Sequence, residues 1–276
     1  MAKAEDKKDG AFATLVFTRH GQSEWNASNQ FTGWVDVGLT DLGRTEAKNG
    51  AAELKKGGYE FDIMFTSYLK RAIQTGNIVL DEIDQAYIPV KKSWRLNERM
   101  YGGLQGLNKV ETVEKHGKEQ VLKWRRSFDI PPPEIDEKNQ YNPANEAKYK
   151  KFCDAKDIPK TECLKDVIAR AEPYWKSDIE PELKAGKTVM VCAHGNSIRA
   201  IVKYLDKIDE ATIPSLEIPT GIPLVYTFDK DLNIIKNDKA TAPLSGVFLG
   251  DPAAIKAAQE KVKNQVSKKA AGGDDK

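Results

Sequence analysis

Thr14-Leu15-Val16-Phe17-Thr18-Arg19-His20-Gly21 and, far downstream, Thr188-Val189-Met190-Val191-Cys192-Ala193-His194-Gly195 carry the same pattern, an apolar run halted by a histidine and then a glycine. Both runs have the length and β-branched content of buried strands. In a parallel sheet they would bring both imidazoles to the carboxyl edge, where open α/β folds hold ligands. Two of the chain's three histidines stand here, and Arg19 precedes the first. A histidine pair flanked by arginine suggests chemistry on something anionic.

Working outward, four apolar runs read as strands: Leu15–Phe17, Ile63–Phe65, Ile88–Val90 and Val189–Cys192. Helical stripes separate most of them. Thr40 is a candidate N-cap for a helix through Leu54, stopped at Gly57-Gly58. Ser67 is a candidate N-cap for the stripe Leu69, Ala72, Ile73, Gly76, Leu80 and Ile83. Ile198, Ile201, Val202 and Leu205 form another stripe after His194, and a further helix is expected from Leu164 to Leu183. Strand–helix alternation predicts right-handed βαβ units. The expected class is therefore α/β, a mostly parallel open sheet flanked by helices, with the active site at the carboxyl edge.

Between about Met100 and Cys163 the alternation stops. That segment reads as an insertion on the α/β core, since it has too few apolar residues for a core of its own. Val225–Phe228 is expected as a late strand at an edge, and Ala253–Val266 as the last helix. The expectation is a single domain over 11–267, with residues 1–10 and 268–276 as flexible termini.

The 43 basic and 41 acidic residues nearly cancel, which gives no reason to expect nucleic-acid binding. No apolar stretch approaches a membrane span, and the charged amino terminus lacks the apolar core of a secretory signal. A cytoplasmic protein with no membrane partner is expected. Cys153, Cys163 and Cys192 form neither a CxxC pair nor an even framework. No metal set is expected, and Cys192 reads as a small core residue.

If the sheet is parallel, Arg19, His20, Arg71, Glu98 and His194 converge on one edge. A neutral imidazole is a nucleophile near neutral pH and can take a phosphoryl group, which splits one hard transfer into two easier ones. Arg19, Arg71 and a protonated His194 would hold the charge on the phosphoryl oxygens, and helix amino termini after Gly21 and Gly195 would add N–H donors. Glu98 is the candidate general acid–base. Singly, each has a plainer role: a structural histidine, an exposed helix arginine, half of a surface ion pair worth little. Only their coincidence raises them. His116, on a polar helical face, stays structural.

The segments RHGQSEWN (Arg19–Asn26), FTGW (Phe31–Trp34), LTDLG (Leu39–Gly43), RLNERMYGGLQGLNK (Arg95–Lys109), WRRSFDIPPP (Trp124–Pro133) and AHGNS (Ala193–Ser197) resemble the cofactor-dependent phosphoglycerate mutases, a branch of the histidine phosphatase superfamily. The resemblance runs from about Leu15 to Asp251. It implies interconversion of 2- and 3-phosphoglycerate without a metal, with 2,3-bisphosphoglycerate as intermediate and priming phosphoryl donor. It makes His20 the phosphorylated nucleophile, Glu98 the proton donor and acceptor, and His194 the stabiliser of the transferring group. It also places Arg19, Ser23, Asn26, Thr32, Gly33, Arg71, Arg99, Tyr101, Lys109, Arg125, Arg126, Gly195 and Asn196 on substrate-contacting positions. It further implies a homo-oligomer, dimer or tetramer, and a tail (Lys268–Lys276) that could close over the site.

Two alternatives stay open. One is a bisphosphoglycerate synthase or phosphatase using the same histidine. The other is a non-catalytic module that binds phosphorylated ligands. Two departures from the family pattern are a stretch, Asp238–Gly246, longer than in many of its members, and an unusual amino-terminal extension through Gly10.

Overall fold

The computed structural model describes residues 10–264. The expectations for the outermost termini, including the closing tail and the end of the last helix at Val266, lie outside the described residues.

In chain order the elements are β1 (Ala13–Arg19), α1 (Glu24–Ala27), α2 (Asp41–Lys56), β2 (Ile63–Thr66), α3 (Lys70–Glu82), β3 (Val90–Lys92), α4 (Lys109–His116), α5 (Lys118–Arg126), α6 (Ala147–Phe152), α7 (Leu164–Tyr174), α8 (Glu180–Lys184), β4 (Thr188–Ala193), α9 (Gly195–Leu205), β5 (Pro223–Phe228), β6 (Val247–Phe248) and α10 (Pro252–Lys263). The sheet has six strands in the order β3-β2-β4-β1-β5-β6. β1, β2, β3 and β4 run parallel to one another, and β5 runs antiparallel to both β1 and β6.

Strand alternation divides the core. Leu15, Phe17, Phe65, Val189 and Val191 pack on one face with Tyr174, Trp175, Ile198 and Ile201 of the α7–α9 side. Val16, Met64, Met190 and Cys192 pack on the other with Ala51, Leu54, Val79 and Leu80 of α2 and α3. The central strands β1, β2 and β4 bury both faces, so each reads as a continuous apolar run with no polar alternation. Cys192 is a core residue, as expected, and burial pushes its thiol up.

Several expectations shift. The edge strand covers Val90–Lys92, beyond the Ile88–Val90 run, and its surface is half-buried to exposed. β5 is not an edge, because β6 pairs outside it. The Leu164–Leu183 helix is interrupted: Pro173 lies inside α7, and a π turn over Trp175–Ile179 joins it to α8. Proline has no N–H to give the i−4 carbonyl, and π turns, rare overall, occur mostly as such single-turn insertions within α-helices.

Ser67 does not cap α3. That helix starts at Lys70, whose N–H is met by Asp36 Oδ1 at 2.6 Å from a distant loop. Asp36 also pairs with Lys148, which fastens the insertion to the start of α3. Gly43 of α2 lies against the loop after β1. A Cβ there would sit 2.0 Å from the Gln22 carbonyl oxygen, so only glycine lets α2 pack so close to His20.

Candidate active site

The β1–β4 register sets the site. Arg19 lies opposite Ala193, so the next residues, His20 and His194, emerge side by side at the carboxyl ends of adjacent strands. Their rings are 5.0 Å apart. Both are buried.

His20 Nδ1 lies 2.7 Å from the Gly21 carbonyl oxygen, and Arg71 Nε donates to His20 Nε2 at 3.3 Å. A carbonyl only accepts and a guanidinium only donates, so the hydrogen belongs on Nδ1 and the lone pair on Nε2. Burial, then Arg71 and Arg19, push this imidazole well below its ordinary value. It is a neutral ring with one tautomer enforced. Arg71 is held in place by the carbonyls of Val35 and Gly33, at 2.9 and 2.8 Å. Gly33 has φ 54°, and a Cβ there would meet Gln105 Oε1 at 2.1 Å. That turn requires glycine.

His194 Nε2 lies 2.8 Å from Ser67 Oγ, a contact that gives Ser67 a role the sequence did not suggest. Its Nδ1 is buried with no hydrogen-bond partner. From sequence a protonated His194 is expected against the phosphoryl oxygens, and the surroundings of the ring oppose that charge. Burial, then Arg71 and His20, push its pKa well below the usual range. Desolvation beside other cations disfavours a second positive ring.

Glu98 is buried, which removes the surface-pair alternative. Its Oε1 accepts from the Arg99 N–H at 2.8 Å, the Asn196 N–H at 3.1 Å and Asn196 Nδ2 at 2.7 Å. Burial alone would raise this carboxyl, but the Arg99 N–H, Arg19, the Asn196 amide and Arg71 outweigh it and hold it below its ordinary value. The backbone of its loop is gripped from two sides. Trp34 Nε1 donates to the Glu98 carbonyl at 2.6 Å. Arg170 Nη2 donates to the same oxygen at 2.9 Å and forms a buried pair with Glu162.

The cations from the insertion are not a solvated face. Lys109 and Arg125 are buried. Burial, then Arg125 and Arg19, push the Lys109 ammonium well down against Glu98, while burial brings Arg125 to about 10. Arg99 lies over the Tyr101 ring at 4.6 Å. Arg19 and Arg99 each bury an Nε with no hydrogen-bond partner, as His194 does its Nδ1. Such a donor set suits phosphate oxygens, which accept several charge-assisted bonds each.

Ser23 and Asn26 bond each other in a capping box on the four-residue α1, at 3.1 and 3.2 Å. The helix amino terminus expected after Gly21 is therefore a single turn begun at Ser23, while α9 does begin at Gly195. Asn26 also lines a cleft of about 520 Å³ between α2 and α10. Thr32 is buried. Arg126 pairs with Glu217 at 2.5 Å. His116 is exposed and sits against Trp124, 5.2 Å between rings. Arg170, Arg199 and Glu217 escaped the sequence reading, and Ser67 entered it only as a helix cap; the one available signal was Arg199's spacing from Asn196 along α9.

A sequence model of the histidine phosphatase superfamily (branch 1) matches residues 15–142 and 134–237, and the chain belongs to that superfamily and, within it, to the family of 2,3-bisphosphoglycerate-dependent phosphoglycerate mutases. It is 55% identical over 229 residues to the protein of that name from Corynebacterium jeikeium, covering 83% of this chain and 89% of that one. It is 53% identical over 251 residues to its namesake from Borrelia garinii subsp. bavariensis, covering 91% and 97%. Among solved structures, a mycobacterial glucosyl-3-phosphoglycerate phosphatase superposes with TM-score 0.60 at 24% identity, over 80% of this chain and 94% of that one. Bacillus stearothermophilus YhfR superposes with TM-score 0.61 at 20% identity, over 81% and 94%. At those identities the likeness speaks for the fold alone.

Proposed function

We propose that this protein interconverts 3-phosphoglycerate and 2-phosphoglycerate through a phosphohistidine at His20, with 2,3-bisphosphoglycerate as intermediate and priming donor. The observation that carries the reading is the enforced tautomer of His20, a buried neutral ring with its lone pair at Nε2 beside His194. The Arg71 guanidinium that meets this lone pair is the group a phosphoryl oxygen would draw away.

In the forward half, the substrate hydroxyl attacks the phosphorus of phospho-His20 as the P–N bond breaks. The Glu98 carboxylate takes the hydroxyl proton. Its Oε1 already accepts three donors, which leaves Oε2 for that task. In the return half, Nε2 takes the other phosphate, and Glu98 gives the proton back to the departing oxygen. Arg19, Arg71, Arg99 and His194 face charge that the transfer spreads over the phosphoryl oxygens. Lys109, Arg125 and Arg126 supply the further cations a carboxylated bisphosphate needs, and Tyr101 carries Arg99. Ser23, Asn26, Thr32, Gly33, Gly195 and Asn196 complete the binding surface on the strength of the family motifs. No step calls on a metal, and among the described residues no His, Cys, Asp or Glu cluster suits one. No helix among the described residues is long and apolar enough to cross a membrane. The same reading takes 11–267 as one domain and the working unit as a cytoplasmic homo-oligomer, which light scattering would check.

The test is incubation with 2,3-bisphosphoglycerate labelled in both phosphoryl groups, followed by unlabelled 3-phosphoglycerate. The reading expects an acid-labile, base-stable label on His20 and isomerisation faster than phosphate release. Release alone would identify a phosphatase, and no label would leave only a binding module. His20→Ala should lose label and at least about a thousandfold in turnover, roughly 4 kcal/mol of barrier.

A further inference from the structure

We propose that Arg199 is a positioning residue for this reaction: its guanidinium fixes the side-chain amide of Asn196 so that Nδ2 must face Glu98. The inference rests on the mutase reading above and adds a residue outside its site motifs. Arg199 is buried on α9, three positions after Asn196 and so on the same helix face. Its Nη1 donates to Asn196 Oδ1 at 2.9 Å. Guanidinium has donors and no acceptor, so the amide atom turned toward it is the oxygen. The amide nitrogen is then left for Glu98 Oε1, which it meets at 2.7 Å. The ionised carboxylate has only acceptors. Asn196 thus sits between a donor-only and an acceptor-only group, and neither tolerates the flipped amide.

Arg199 is itself anchored. Its Nε donates to the Leu216 carbonyl at 2.7 Å, and Nη2 lies 3.6 Å from Glu217 Oε2. The other Glu217 oxygen pairs with Arg126 at 2.5 Å. A chain of hydrogen bonds and ion pairs therefore joins Arg126, at the end of α5, to the acid–base carboxyl. Burial brings Arg199 down to about 10, so it stays charged at neutral pH.

The groups facing Glu98 are Arg19 from β1, Arg71 from α3, Lys109 from α4, Arg99 and Tyr101 from its own loop, and Asn196 and Arg199 from α9. Arg170 of α7 touches only its carbonyl. In an Arg199 variant all the others remain, so a change in Glu98 titration reports the Asn196 donor and the Arg199 charge.

The experiment measures label on His20 and the pH profile of kcat/KM for wild type, Arg199→Met, Arg199→Gln and Arg199→Lys. The free carboxylate is the active form, so Glu98 sets the acidic limb. Loss of one hydrogen bond to a charged group moves that limb to higher pH by about one unit in Arg199→Met. Arg199→Gln, a gentler change that also ends the donor-only constraint, moves it the same way by less. Arg199→Lys still donates to Oδ1 and returns the limb to within roughly a third of a unit of wild type. KM for 3-phosphoglycerate changes less than kcat in each. The proposal is overturned if the folded Met and Gln variants keep the wild-type limb, or if Lys moves it as far as they do. Wild-type protein that takes no label at all would instead sink the mutase reading itself.

Discussion

At the scale of single residues, the two histidines that look alike in sequence are held in different ways. His20 has both ring nitrogens engaged, one by its neighbour's carbonyl and one by Arg71. His194 has one nitrogen on Ser67 and the other buried and unmet. Ser67 is thus to His194 what Gly21 is to His20, the group that fixes the ring. Ser67→Ala should leave His194 free to turn and cost roughly tenfold in kcat, the rate equivalent of one hydrogen bond at about 1–1.5 kcal/mol. KM should change little if His194 acts on the transferring group. Stopped-flow turnover with 3-phosphoglycerate checks this; an unchanged kcat would leave Ser67 a purely structural neighbour.

At the scale of elements, the outcome shows which signals a sequence carries. The strands were legible because burial on both faces writes an unbroken apolar run, as in Leu15–Phe17 and Val189–Cys192. The convergence of His20 and His194 was legible because a parallel pair of such strands leaves few alternatives. The start of α3 was not, since its cap comes from Asp36, a loop residue far away in the chain. For the same reason Arg170 could not be singled out. In sequence it is one arginine on a helix, and only the fold brings its fork to Glu162 and to the carbonyls of Arg95, Asn97 and Glu98. That pair makes a sharp prediction. Arg170→Met leaves the Glu162 carboxylate buried without its countercharge, and should destabilise the protein by about 3–5 kcal/mol. Adding Glu162→Met should recover much of that loss, because neither charge is then stranded. Urea unfolding of the two variants checks both signs. Turnover should stay low in the double variant, since the loop carrying Glu98 has still lost its clamp.

At the scale of the whole molecule, burial and the cations gathered at the site set the protonation of its two histidines. Burial, then Arg71 and other cations, hold both His20 and His194 well below the ordinary imidazole value, so both rings are neutral in the folded protein at pH 7. The unfolded chain protonates them near pH 6.5. Below that pH the unfolded state binds more protons than the folded one, and stability falls as pH falls. Glu98, whose carboxyl is also depressed, acts in the same direction at lower pH. A dianion placed between the rings reverses the balance, because opposite charge favours the imidazolium form. Sulfate is the useful probe, since it does not itself titrate between pH 6 and 8. Its binding should therefore take up protons, with affinity rising as pH drops from 8 to 6, and should restore stability most on the acid side. Calorimetric titration in buffers of differing ionisation enthalpy reads the uptake directly, and His194→Gln should reduce it. Proton uptake would mean that the positive charge assigned to His194 during transfer arrives with the anion. If binding proves pH-independent, the rings stay neutral throughout, and the arginines alone carry the charge of the transferring group.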